Sequence, residues 1–99
     1  MNQYIISTEA IRDMEQILDY LSQNNMRAVE KFLEEFSQKC RYLAQFPLMG
    51  RSYREIRPYL RGLPMNKYII FYRLTEQGLE IMRVVKGERD LEILFSENL

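Results

Sequence analysis

A chain of 99 residues, 46% hydrophobic and 28% charged, has the make-up of an ordinary globular protein with material for one core, so a single domain over residues 1–99 is expected and intrinsic disorder is excluded. No apolar run approaches the ~20 residues that cross a bilayer, and residues 1–9 lack a basic stretch followed by an apolar one; a cytoplasmic protein without a membrane partner is expected. The formal charge is zero but unevenly spread: residues 1–50 hold five Lys/Arg against seven Asp/Glu (net −2), residues 51–90 nine against five (net +4), and residues 91–99 none against two (net −2).

In chain order, Gln3 to Ser7 reads as a short strand, after which Ser7 or Thr8 can cap a helix that carries Glu9 in its first turn. Ile11, Met14, Ile17, Leu18 and Leu21 fall at helical spacing and predict an amphipathic helix to about Ser22. Asn24 and Asn25 break it and can cap a second, in which Val29, Phe32, Leu33, Phe36, Cys40 and Leu43 recur every three or four residues until Pro47 forbids continuation. So short a break implies an antiparallel hairpin. From Arg54 the period changes: Ile56, Pro58 and Leu60 alternate with Arg57, Tyr59 and Arg61, which predicts a strand with an edge or bulge at Pro58, followed by a turn at Gly62 and Pro64. Lys67 to Arg73 and Leu79 to Lys86, separated by a turn at Thr75 to Gly78, are rich in β-branched and aromatic residues and predict two more strands. The order is that of an α+β domain, an N-terminal strand and a helical hairpin packed on one face of a mainly antiparallel sheet.

The chain contains no histidine, which removes the commonest general base and the commonest metal ligand together. With one cysteine and no histidine, neither a Ser/His or Cys/His nucleophile nor a zinc-type ligand set can be built, and no metal or other cofactor is expected. Cys40 cannot form an internal disulfide, and its phase on the second helix reads as a packed core thiol. The acidic pairs Glu34 with Glu35 and Asp13 with Glu15 read as solvated helix surface, and Gly50, Gly62, Gly78 and Gly87 as isolated turn glycines. What remains is a set of cations on the predicted strands. Arg57, Tyr59 and Arg61 share one predicted strand face; Arg73, Arg83, Lys86 and Arg89 follow. The positive excess of residues 51–90 can steer an acidic partner or can be plain solvated surface. Arg83, between Met82 and Val84 in an apolar strand, is costly unless paired or facing a pocket. Asp90 is a candidate partner for Arg83 or Arg89, and a structural pair and a binding role both stand open.

The opening strand ending in Ser, the helix DMEQILDYL, and the segments CRYLAQFPLMGRSYREI, LRGL, KYIIFYR and IMRVVKGERDLEILF together resemble the ParE-like branch of the RelE/ParE toxin superfamily, from about Tyr4 to Phe95 and in the family's order. The resemblance implies a RelE/ParE-type fold, a hetero-oligomer with a cognate ParD-like antitoxin encoded beside it, and a non-catalytic toxin that poisons DNA gyrase by binding. It also implies a rival, because the RelE branch cleaves messenger RNA on the ribosome. Lys86 stands where many relatives have His before G-x-R-D, and the last tyrosine is Tyr72, so the proton-transfer groups of the nuclease branch have no evident match. On this reading Arg61, Arg73, Arg83, Lys86 and Arg89 carry target recognition and no residue is catalytic.

Overall fold

The computed structural model describes residues 3–87 together with Leu91, Leu94 and Phe95. Its elements are β1 (Gln3–Ile6), α1 (Thr8–Ser22), α2 (Met26–Gln45), β2 (Arg51–Ser52), β3 (Arg61–Met65), β4 (Tyr68–Thr75) and β5 (Gly78–Lys86). The strands lie in the order β1-β5-β4-β3-β2, with β1 parallel to β5 and every other pair antiparallel, which is the expected α+β arrangement.

Both helices start where a side-chain oxygen satisfies an otherwise unpaired N–H. Ser7 Oγ accepts from the Ala10 N–H at 3.1 Å, and Asn25 Oδ1 accepts from that of Ala28 at 2.8 Å. The apolar stripes then face the sheet: Ala10 from α1 and Phe32, Phe36, Cys40 and Leu43 from α2 pack on Ile70, Tyr72, Leu79, Ile81 and Val84. Burial pushes the Cys40 thiol up to about 12, as befits a core thiol and not a nucleophile. No helix among the described residues is long and apolar enough to cross a membrane.

The segment before β3 departs from expectation. Residues 53–60 form turns rather than a strand, and β3 begins at Arg61, so Gly62 and Pro64, expected to form a turn, lie inside it. Arg57, Tyr59 and Arg61 therefore do not share a strand face. The alternation of Ile56 and Leu60 has another cause: with Tyr53 they fold over the sheet face away from the helices and pack on Phe71, Val85, Leu94 and Phe95. Pro64 is tolerated in β3 because β2 pairs only with Arg61 and Gly62, leaving the rest of that side without a ladder for an N–H to join. The true reversal is Asn66–Lys67, where Asn66 takes φ 57°, a conformation that asparagine reaches more easily than most residues. The hairpin thus covers one face of the sheet, as expected, and residues 53–60 with Leu94 and Phe95 cover the other.

Gly78 lies at φ 153° directly beside β1, where a Cβ would overlap the Gln3 carbonyl oxygen; the parallel β1–β5 contact requires glycine there.

Candidate functional site

Where β1 ends at Ile6 and the chain turns into α1, β5 continues without a neighbouring strand, and side chains take over the ladder. The Ser7 N–H donates to the Ile81 carbonyl and the Ser7 hydroxyl to that of Met82, each at 2.9 Å. One turn into α1, Asp13 Oδ2 accepts the Val84 N–H at 3.0 Å. The β4–β5 register slips here: Phe71 pairs with Arg83 and Tyr72 with Ile81, leaving Met82 as an extra residue. Met82 packs with the cluster on the far face, while Arg83 reaches the Asp13 carboxylate in a two-pronged pair, Nε to Oδ2 at 2.8 Å and Nη2 to Oδ1 at 2.9 Å. The two side chains are only 13% and 12% exposed. Hydrogen bonding to Asp13 holds the Arg83 guanidinium above its usual pKa against the opposing effect of desolvation.

Arg83 thus pairs with Asp13. Asp90, the candidate partner, lies outside the described residues, as does Arg89. Asp13 is correspondingly not solvated helix surface, although its neighbour Glu15 is exposed. The sequence carries a signal for this: Asp13 sits three residues after Ala10 and four before Ile17, on the apolar stripe, where a carboxylate needs a cation.

Of the other cations, Arg73 pairs with Glu80 across β4 and β5 at 2.7 Å. Its groove, about 320 Å³, is lined by Ser7, Glu9, Tyr59, Glu80, Met82, Arg83 and Phe95 besides itself. Arg61 turns toward the loop before β2, its Nη2 donating to the carbonyls of Leu48 at 3.1 Å and Gly50 at 2.7 Å. Beside it the Tyr72 hydroxyl donates to the Pro47 carbonyl at 2.6 Å and accepts the Gly50 N–H at 2.9 Å. A Cβ on Gly50 would strike that hydroxyl at 2.5 Å. The loop so fixed holds Phe46, Leu48 and Met49 out in solvent. Lys86 ends β5 exposed, its ammonium 5.9 Å from the centre of the Tyr20 ring. The described cations expected to act together are therefore dispersed: Arg73 and Arg83 share one groove, Arg61 clamps a loop, and Lys86 lies on the helical side. Among the described residues no three His, Cys, Asp or Glu side chains converge as a metal site requires.

The chain matches the family model described as ParE toxin of type II toxin-antitoxin system, parDE, over residues 4–91. It is 29% identical over 93 residues to Toxin ParE1 of Mycobacterium tuberculosis strain H37Rv, covering 92% of this chain and 95% of that relative. To Toxin ParE3 of Caulobacter vibrioides it is 26% identical over 73 residues, covering 74% and 73%. Among solved structures it is similar to a chain of the chromosomal ParDE TA system from P. aeruginosa, with a TM-score of 0.72 and 18% identity over 87% of this chain and 96% of that one, a likeness of fold. With the family model spanning α1, α2 and all but the first residue of the sheet, the chain belongs to the ParE toxin family of type II toxin-antitoxin systems.

Proposed function

We propose that this protein is the toxin of a type II pair, that a ParD-like antitoxin encoded beside it holds it in a hetero-oligomer, and that it arrests growth by binding DNA gyrase rather than by chemistry of its own. The names of its relatives support the first part, and the similar solved chain comes from a system titled ParDE. The gyrase target rests on the resemblance to ParE toxins. The observation that carries the non-catalytic reading is that Arg73 and Arg83, the two cations that line the groove on the sheet among the described residues, are each engaged by a carboxylate of the same chain. Glu9 and Glu80 balance them within the groove, and affinity for an RNA backbone grows with cations free to replace counterions.

One observation favours the rival, a ribosome-dependent messenger RNA nuclease: Tyr59 and Glu80 line the same groove as the two arginines, and a phenol and a carboxylate can exchange protons. The test is direct. Purified protein without its partner is expected to inhibit supercoiling by gyrase and to trap cleavage complexes; codon-specific cleavage of messenger RNA on ribosomes, with gyrase unaffected, would replace this reading with the rival.

A further inference from the structure

Three lysines reach one groove from three elements. Lys31 comes from α2, Lys67 from the turn between β3 and β4, and Lys86 from the end of β5, around Tyr20, Phe32 and Tyr68. The Gly87 N–H donates to the Lys67 carbonyl at 3.1 Å and keeps the last two together. None of the three makes an ion pair among the described residues. Among the described residues the one carboxylate lining the groove, Glu35, accepts from the Asn66 side-chain amide at 3.1 and 3.2 Å. A second hollow shares Tyr20, Tyr68 and Lys86 and continues along α1 past Gln16 and Ile17 to Val84. Its carboxylate, Asp13, is taken by Arg83. The result is a trough with an apolar floor and a positive rim, unlike a solvated surface of mixed sign.

We infer that this trough takes an acidic segment of the antitoxin, laid along α1 with carboxylates beside Lys31, Lys67 and Lys86 and an apolar or aromatic side chain over Tyr20 and Tyr68. The inference rests on the proposed pairing with an antitoxin and adds where and by what chemistry it docks. Charge complementarity selects an anion, and the floor selects one that brings its own apolar side chains. Nucleic acid fits less well. Phosphate is gripped best by the arginine fork, whereas these cations are lysines.

The test compares the full chain with its Lys31→Glu/Lys67→Glu/Lys86→Glu variant and with a control carrying equal charge reversal at the exposed Arg12, Arg41 and Arg54. Each is titrated calorimetrically with the neighbouring gene's product and with a synthetic amphipathic peptide bearing glutamates on one face and leucines on the other. All three lysines are exposed, so the variant should keep the wild-type circular dichroism, and Tyr20→Ala, also at an exposed site, provides a second fold-preserving variant. The lysine variant is expected to weaken both interactions by at least about tenfold and to lose their salt sensitivity, as removal and reversal of three rim contacts implies. The control should bind as the wild type. Equal loss in the control, unchanged binding by the lysine variant, or wild-type affinity for a single-stranded oligonucleotide but not the peptide would each overturn the inference. Wild-type protein that binds the peptide but not the neighbouring product would instead remove the antitoxin as occupant and break the toxin-antitoxin reading itself.

Discussion

On the sheet side of the molecule Arg73 and Arg83 end on carboxylates of their own chain, whereas on the hairpin side Lys31, Lys67 and Lys86 end in solvent around two tyrosines. The difference follows from where each cation enters. Arg83 lies within a strand among apolar neighbours, and a charge held there needs a fixed partner before the domain can fold. Lysines on a helix surface, a tight turn and a strand end keep their hydration and need none. A count of positive charges therefore overstates what a face can offer to a partner; what matters is how many the fold has left uncommitted.

The sharpest way to break this contrast is at Asp13. Asp13→Ala leaves the Arg83 guanidinium buried without its partner and the Val84 N–H without an acceptor, a loss of about 3–5 kcal/mol that urea unfolding should read. A loss below about 1 kcal/mol would show that Arg83 finds water and that the sheet side is as adaptable as the hairpin side.

Next comes the seal beneath the hairpin, reported by Cys40. Its folded pKa is raised from 9.0 to about 12, so the unfolded chain sheds this proton first as pH rises. The stability due to the protonated thiol is whole below pH 9 and declines between pH 9 and about 12, by about 1.4 kcal/mol per unit. Relative to Cys40→Ala, wild-type protein should lose stability at that slope; parallel curves for the two proteins would mean that the hairpin opens to solvent.

Tyr72→Phe removes the donor to Pro47 and orphans the buried Gly50 N–H, and should cost about 1–3 kcal/mol in the same unfolding experiment. No change would mean that the loop carrying Phe46, Leu48 and Met49 holds its shape without that hydroxyl. The smallest effect is expected at Arg73→Ala. With the arginine side chain 47% exposed, its pair with Glu80 should contribute less than about 1 kcal/mol, so the variant stays folded and its growth arrest reads the role of the groove apart from stability. Loss of toxicity in a folded Arg73→Ala protein would return that groove to the centre of function.

Much of the architecture was legible because it follows from local rules. The caps at Ser7 and Asn25, the helical stripes and the apolar runs of β4 and β5 each act over a few residues, and the structure has them within a residue or two. Residues 53–60 misled because alternating apolar residues signify contact with a core, and here the contact is made by turns wrapping the far face. Gly62 and Pro64 misled because their strand is short of a neighbour, a fact of topology that no window of sequence contains. A pair at Arg83 was one of two readings left open, and its partner could not be read from the sequence: Asp13 lies 70 residues away, reached only because β1 stops short and a bulge shifts the strand's phase. The lysine groove was invisible for the same reason, since Lys31, Lys67 and Lys86 are scattered along the chain and only Lys86 stood among the residues expected to bind a target.

The parallel pairing of β1 with β5, which joins Gln3 to Gly78 and Ile6 to Ile81, also sets a schedule. A ribosome that has released only the residues before Gly78 has exposed a helical hairpin whose apolar stripe has nothing of β5 to lie on, and a first strand with no neighbour. The long-range closure that joins β1 to β5 is the slow kind, and here it waits for β5 to emerge. Nascent chains halted before Gly78 should then be degraded readily by added protease, and chains with β5 clear of the exit tunnel should resist; early resistance would show that the hairpin stands alone. A cell translating this message therefore meets the finished sheet all at once, and a message broken upstream of β5 yields debris instead of a weakened version of the protein.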